Sequence, residues 1–219
     1  MVAIDGPAGA GKSTVARALA ERLGYTLLDT GALYRSVALI AQRRGIAWDD
    51  APRLGELAAG LEVTFVREAE KTRVLADGAD VTDDIRRAEI SEGASRVSAL
   101  PEVRRGLLEA QRRVAKHANV VAEGRDIGTV VFPSAQAKFF LIANAETRAQ
   151  RRALELQAAG RQAALVDVQA EMAKRDARDS ARAVAPLRQA EDAVAVDSSG
   201  MTPEEVVAQM MTIVRERGG

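Results

Sequence analysis

A short apolar run, MVAID, leads directly into GPAGAGKST, residues Gly6 to Thr14. The spacing is G-x-x-x-x-G-K-S, with Gly6, Gly11, Lys12 and Ser13 at the fixed positions. Each type has a physical reason. Glycines let the backbone turn tightly and approach an anion closely, and successive amides then point into one hollow. Lysine reaches terminal phosphates, and a serine hydroxyl can ligate magnesium. The run before the loop suits a buried strand. The run after it, STVARALAERLG, has Val15, Leu19 and Leu23 at four-residue spacing and Gly24 as a C-terminal stop, so a helix is expected there. A chance glycine turn would lack this setting. Gly6, Pro7, Ala8, Gly9, Ala10, Gly11, Lys12, Ser13 and Thr14 are therefore expected to bind nucleotide phosphates, with Lys12 as a flexible loop residue that adds little to the core.

This arrangement demands a sheet, and four further runs supply it. Tyr25 to Asp29, Val120 to Glu123, Lys138 to Ala143 and Ala193 to Asp197 read as strands separated by helical stretches. The expected fold is α/β, a P-loop NTPase-type doubly wound five-stranded parallel sheet. Such sheets bind ligands at the carboxyl ends of their strands. That rule would set the loop, Asp29, Arg35, Arg125 and Asp126 on one rim. Asp29 could cap the next helix or help hold hydrated magnesium, and Thr30 could serve equally as the cap. Residues 61–81 break the pattern: LEVTFVR and KTRVLADG alternate apolar and polar residues around a charged turn. They predict an inserted antiparallel hairpin. Residues 85–118 read as mainly helical with a turn at Leu100-Pro101, and Trp48 as a loop anchor.

Composition narrows the function. Lysine plus arginine and aspartate plus glutamate both number 31, so the net charge is zero. That argues against a broad nucleic-acid or anionic-membrane surface, and any electropositive site must be local. Cysteine is absent and His117 is the single histidine, which excludes thiolate and histidine metal clusters. His117 reads as a helix-end or surface residue. With no charged leader before an apolar core and no run as long as a membrane span, a soluble cytoplasmic protein is expected.

The segment KRDARDSAR, residues 174–182, is a candidate local site. On a helix from Leu165 to Arg182, the apolar positions Leu165, Val168 and Met172 form one stripe. The stripe continues through Arg175, Asp179 and Arg182, while Lys174, Ala177 and Ala181 point away. A solvated face would lie opposite the apolar stripe. Inward charges need partners, which an anionic ligand or a structural ion-pair cluster would provide.

GPAGAGKST, LLDTGALYR, EGRDIGTVVFP and KRDARDSARAVAPL, in this order, resemble the signature segments of the bacterial cytidylate kinase family. The resemblance covers nearly the whole chain. Thr30 stands where many relatives have serine and keeps the hydroxyl. Relatives often have glycine followed by threonine after the loop lysine; here Ser13 keeps the magnesium-ligating hydroxyl. The resemblance implies a nucleoside monophosphate kinase of three parts: a core (about 1–35, 107–147 and 184–219), a monophosphate-binding part with the insert (about 36–106), and a short helical lid (about 148–183). It implies transfer of the terminal phosphoryl group of ATP, with Mg2+, to CMP or dCMP. Arg35 and Arg125 then hold the acceptor phosphate, with Asp126 beside them. Thr30 and Tyr34 belong to the same acceptor side. Ser95 and Arg104 contact cytosine, joined by Arg182, and Asp179 takes the sugar with help from Arg175. Lys12, Arg35, Arg125, Asp126 and Arg175 form the implied catalytic set. Ser13 is the implied magnesium ligand, mostly through phosphates and water, with Asp29 as a further candidate.

Arg148, Arg151 and Arg152 begin the expected lid, where Arg151 would touch ATP; an exposed arginine-bearing helix is the alternative. Lid closure would exclude water from the two anions. A GTP switch would need an N-K-x-D segment, and neither Asn119 nor Asn144 precedes lysine. A non-catalytic nucleotide-binding scaffold would have no use for a second phosphate site. The nearest alternative among enzymes is a UMP or AMP kinase. The expected partners are small-molecule substrates, with no nucleic acid, no membrane and a monomeric chain.

Overall fold

The computed structural model describes residues 1–68, 71–116, 118–158 and 160–218. His117 and the tip of the expected hairpin, residues 69–70, lie outside the described residues. In chain order the elements are β1 (Val2–Asp5), α1 (Lys12–Leu23), β2 (Thr26–Asp29), α2 (Thr30–Arg43), α3 (Ala51–Gly60), β3 (Val63–Glu68), β4 (Lys71–Ala76) and β5 (Ala79–Asp80). There follow α4 (Ala88–Val97), α5 (Pro101–Val114), β6 (Val120–Gly124), β7 (Ala137–Ile142), α6 (Ala145–Ala158), α7 (Leu165–Ser180), β8 (Val194–Asp197) and α8 (Pro203–Glu216). Contacts divide the chain into two compact units, Met1–Leu28 with Val114–Gly219, and Asp29–Arg113.

The parallel sheet has the order β2-β6-β1-β7-β8. β1 lies at its centre, with Val2 opposite Val121 on one side and Ala137 on the other. Every residue of β1 is buried, as expected for a parallel strand covered on both faces. Val15 and Leu19 of α1 pack with Ile4, Phe139 and Leu141 of the sheet and Val207 and Met210 of α8. With so few aromatics, branched aliphatic side chains fill most of this core. Gly24 ends α1 in the left-handed conformation. A capping box of Thr202 and Glu205 opens α8.

In the second unit, α2 is buried along most of its length. Trp48 donates its indole N–H to the Ala38 carbonyl at 3.0 Å and lies flat against Gly93, where a Cβ would come within 2.5 Å of the ring. β3 and β4 pair antiparallel from Val63↔Ala76 to Glu68↔Lys71. The insert goes beyond the expected hairpin: Asp77 and Gly78 turn the chain again with positive φ, and β5 adds a third short strand.

Two local expectations need correction. α7 ends at Ser180, so Arg182 lies just past the helix. Leu165 is 40% exposed and does not begin the buried stripe; Val168 and Met172 do. Among the described residues, no helix is long and apolar enough to cross a membrane.

Candidate active site

The loop between β1 and α1 is held by space as well as by torsion. Gly6, with φ of 149°, sits so close to β7 that a Cβ would lie 2.0 Å from the Leu141 carbonyl oxygen. Gly9 faces Met172, whose methyl would be 2.6 Å from an added Cβ. Gly11, at the N-cap of α1, has no capping side chain, and no acid stands in the helix's first turn. The first amides of α1 therefore meet no side-chain competitor for an anion. Ser13 and Thr14 are exposed.

Lys12 departs from the expectation of a flexible loop residue. It is 6% exposed and donates its Nζ–H to the Pro7 carbonyl at 2.7 Å. Burial, then the charges of Arg125 and Arg175, push its pKa down to about 7 against the pull of Glu123 and Asp5.

The α6–α7 pair and the end of β8 back the loop. Arg151 donates to Ser198 Oγ at 3.0 Å and to the Ser198 carbonyl at 2.7 Å, and reaches the Ala10 carbonyl at 3.4 Å. Ser198 itself donates to Ala10. Arg152 instead pairs with Glu155 on its own helix. Arg148 is turned to the loop and pairs with Asp176. Both polar groups of Ala8 go to this pair.

At the end of β6, Arg125 donates its Nε–H to Asp179 Oδ2 at 3.0 Å. Arg182 bonds the other carboxylate oxygen. Asp179 is 1% exposed. Burial pushes its pKa up, but Arg125, Arg182 and Arg175 outweigh that, and the carboxyl lies below its usual value. Lys174, Ala177 and Ala181 are exposed, while Arg175 is half-buried. The charges of 174–182 thus divide by face, and the inward set surrounds one carboxylate. Asp126 is buried at 4% exposure. Beyond it runs a π-helix, Ile127–Val131, whose first two amides donate to Asp5 at 2.8 Å each.

In the second unit, Asp29 caps α2 through the Ala32 amide at 2.9 Å and pairs with Arg35 at 2.9 Å. Both carboxylate oxygens therefore serve the protein. Thr30, Tyr34, Ser95 and Arg104 are all buried. The Arg104 guanidinium lies 5.5 Å over the Tyr34 ring and donates to the Ser98 carbonyl. Ser98 in turn donates its hydroxyl to the Ser95 carbonyl. Ser95 is therefore no surface hydroxyl.

Sequence reasoning missed Asp5, Asp176 and Ser198. Asp5 could have been noticed as the acid closing the strand before the loop. Asp176 lies in the charged segment but off the expected stripe, and Ser198 carries no motif signal; the partners of both are distant in sequence. Among the described residues, no three His, Cys, Asp or Glu side chains form a metal-binding group.

A profile of the family described as Cytidylate kinase matches residues 2–216. The cytidylate kinase of Geobacter sp. (strain M21) is 54% identical over 217 residues, covering 99% of this chain and 93% of that protein. The cytidylate kinase of Geobacter sulfurreducens is also 54% identical over 217 residues, with the same coverage. A solved structure of an uncharacterized protein from Eubacterium ventriosum ATCC 27560 aligns with a TM-score of 0.53 over 98% of this chain and 97% of that one. At 12% identity, that is a likeness of fold alone. The match from residue 2 to residue 216, with relatives of this identity over nearly their full length, shows that the chain belongs to the cytidylate kinase family.

Proposed function

We propose that the chain transfers the terminal phosphoryl group of ATP to CMP or dCMP, giving ADP and CDP or dCDP. The observation that carries this reading is the set of cations around Lys12 and Asp179: a phosphate loop in the same unit as Arg125, Arg175 and Arg182. Two anionic substrates need more positive charge than a nucleotide loop alone supplies. Phosphoryl transfer spreads negative charge over the moving group and its flanking oxygens, so positioning and charge stabilisation do most of the work.

In this reading the P-loop amides and Lys12 hold the donor phosphates. Arg35 and Arg125 hold the acceptor phosphate through planar forks suited to paired hydrogen bonds, with Asp126 beside them. Thr30 and Tyr34 complete that side. Ser95, Arg104 and Arg182 read cytosine, and Asp179 and Arg175 take the sugar. The acceptor is already a phosphate dianion, so no strong general base is required. Arg151, fastened between Ser198 and Ala10, is assigned to the ATP side. Mg2+ would be held by Ser13, phosphate oxygens and water, which fits an exposed hydroxyl without a protein-built cage. The ion would neutralise donor charge. Asp29 is the weaker candidate, since both its oxygens already have partners.

The three-part division into core, monophosphate-binding part (about 36–106) and lid (about 148–183), and a monomeric chain, belong to the same proposal. The test is an ADP-release assay with ATP and Mg2+ across the common nucleoside monophosphates. CMP and dCMP should be turned over best. Turnover of AMP, GMP or UMP with none on CMP would sink the assignment.

A further inference from the structure

Ala8, the third residue of the phosphate loop, is gripped on both sides by one ion pair. Its N–H donates to Asp176 Oδ1 at 3.2 Å. Its carbonyl accepts from Arg148 Nη1 at 3.0 Å. The same Nη1 bonds Asp176 Oδ2, and Arg148 Nε donates to the Ala143 carbonyl at 3.1 Å. The pair joins α6 and α7 to the loop, and both side chains are largely buried, at 14% and 19% exposure.

The two bonds to Ala8 belong to successive peptide planes. In a planar trans peptide, the C=O of one residue and the N–H of the next point in opposite directions. When Asp176 takes the Ala8 N–H, the Pro7 carbonyl must point the other way. That carbonyl is the acceptor of Lys12 Nζ at 2.7 Å. When Arg148 takes the Ala8 carbonyl, the Gly9 N–H must point away from Arg148. Asp176 and Arg148 thus fix two plane orientations on which the loop's donor geometry depends.

We propose that Arg148 and Asp176 are positioning residues for phosphoryl transfer, which orient the Pro7–Ala8 and Ala8–Gly9 peptides and through them Lys12. The inference rests on the kinase reading above and deepens it. Charge attraction is a poor account of the pair. The two charges cancel, and the carboxylate alone would repel phosphate. Packing is a poor account too, because an apolar seat of Ala8, Ala149, Val168 and Met172 already holds the loop against α6 and α7. The pair adds orientation to a contact that apolar burial provides. Asp176 also lies one helical turn before Asp179, the partner of Arg125, so α7 contacts both the donor loop and an arginine assigned to the acceptor.

The test compares wild type with Arg148→Lys and Asp176→Asn. Arg148→Lys keeps the charge and loses the fork that spans Ala8, Ala143 and Asp176. Asp176→Asn keeps the shape and the bond to the Ala8 N–H but loses the charged pairing. Mg-ADP affinity is read by calorimetry without any monophosphate, and CMP affinity by calorimetry without ADP. A charge-assisted hydrogen bond corresponds to a factor of roughly ten or more, so both variants should bind ADP about tenfold more weakly. Melting temperature should fall in Asp176→Asn, which breaks a largely buried pair, while CMP affinity should hold in both variants. Unchanged ADP affinity in both variants would overturn the proposal. So would a fall of CMP affinity as large as that of ADP affinity, which would mean general loosening. Failure of wild type to phosphorylate CMP would reject the kinase reading, yet the ADP measurements would still decide the role of Arg148 and Asp176.

Discussion

Arg125 and Asp179 are 54 residues apart in sequence and joined by an Nε–H···Oδ2 hydrogen bond of 3.0 Å. Arg182 closes the other side of the same buried carboxylate. Removing that charge leaves a cluster of cations without its central counter-charge. Asp179→Asn should cost about 3 kcal/mol. For a chain of this length that corresponds to a melting temperature lower by roughly 6–12 °C. Saturating CMP should add less stability to the variant than to wild type, because Asp179 is assigned to the sugar and its loss weakens CMP binding. Calorimetric melting with and without CMP checks both. A melting point equal to wild type would remove Asp179 as the organiser of these arginines.

Arg182 and Lys174 belong to the same charged segment but differ in placement. The Arg182 side chain is 4% exposed, whereas Lys174 faces solvent. Arg182→Met should raise KM for CMP by about ten- to a hundredfold, the value of one charge-assisted hydrogen bond, and leave KM for ATP close to wild type. Arg182→Lys should recover melting temperature better than CMP affinity, since it restores charge but no planar fork. Lys174→Met should change neither. Equal harmlessness of Arg182→Met and Lys174→Met would return the segment to a solvated charge face.

The strands, the phosphate loop and the inward face of α7 were legible because each is a local pattern. The apolar run of β1, the fixed spacing of Gly6, Gly11, Lys12 and Ser13, and the continuation of Val168 and Met172 into Arg175 and Asp179 lie within a few turns of chain. The Asp5 brace was not legible, because its amide partner Ile127 is 122 residues away. Nor were Arg148–Asp176 and Arg151–Ser198, separated by 28 and 47 residues. No periodicity links such positions. The π-helix at Ile127–Val131 was missed for a related reason. Its apolar residues suit a strand equally well, and only Asp5, at the end of the central strand β1, gives its first amides an acceptor.

Lys12 is where burial changes the expected consequence of a substitution. Its folded pKa of about 7 lies below the ordinary 10.5. The folded state therefore binds fewer protons than the unfolded state between those values, and this group makes stability rise with pH across that window. Lys12→Met should abolish turnover and melt higher than wild type at pH 6, with the gap closing by about pH 10. Bound phosphate should restore the lysine's charge, so ADP binding at pH 8 should take up a proton in wild type and less in the variant. Titrations in two buffers of different ionisation enthalpy measure that uptake. A stability difference that did not vary with pH would contradict the burial of a charge-penalised lysine.

Asp5 titrates with the opposite sign. Burial, aided by the charge of Asp126, raises its pKa from 3.8 to about 6, against the two amide bonds and Lys12. The folded state therefore holds an extra proton between those values. The stabilisation is complete below the unfolded value and lost as pH rises through about 6. Asp5→Asn has no such proton, so its stability deficit relative to wild type should be largest near pH 4 and shrink towards pH 7. The variant also offers one acceptor oxygen to two amides, a loss of about 1–3 kcal/mol. Those amides belong to the segment directly after Arg125 and Asp126. Loosening it should raise KM for CMP more than KM for ATP. Melting curves from pH 4 to 8, with steady-state kinetics at pH 7, separate the two effects. A pH-independent deficit with unchanged KM for CMP would show that Asp5 neither carries the extra proton nor steadies the arginine loop.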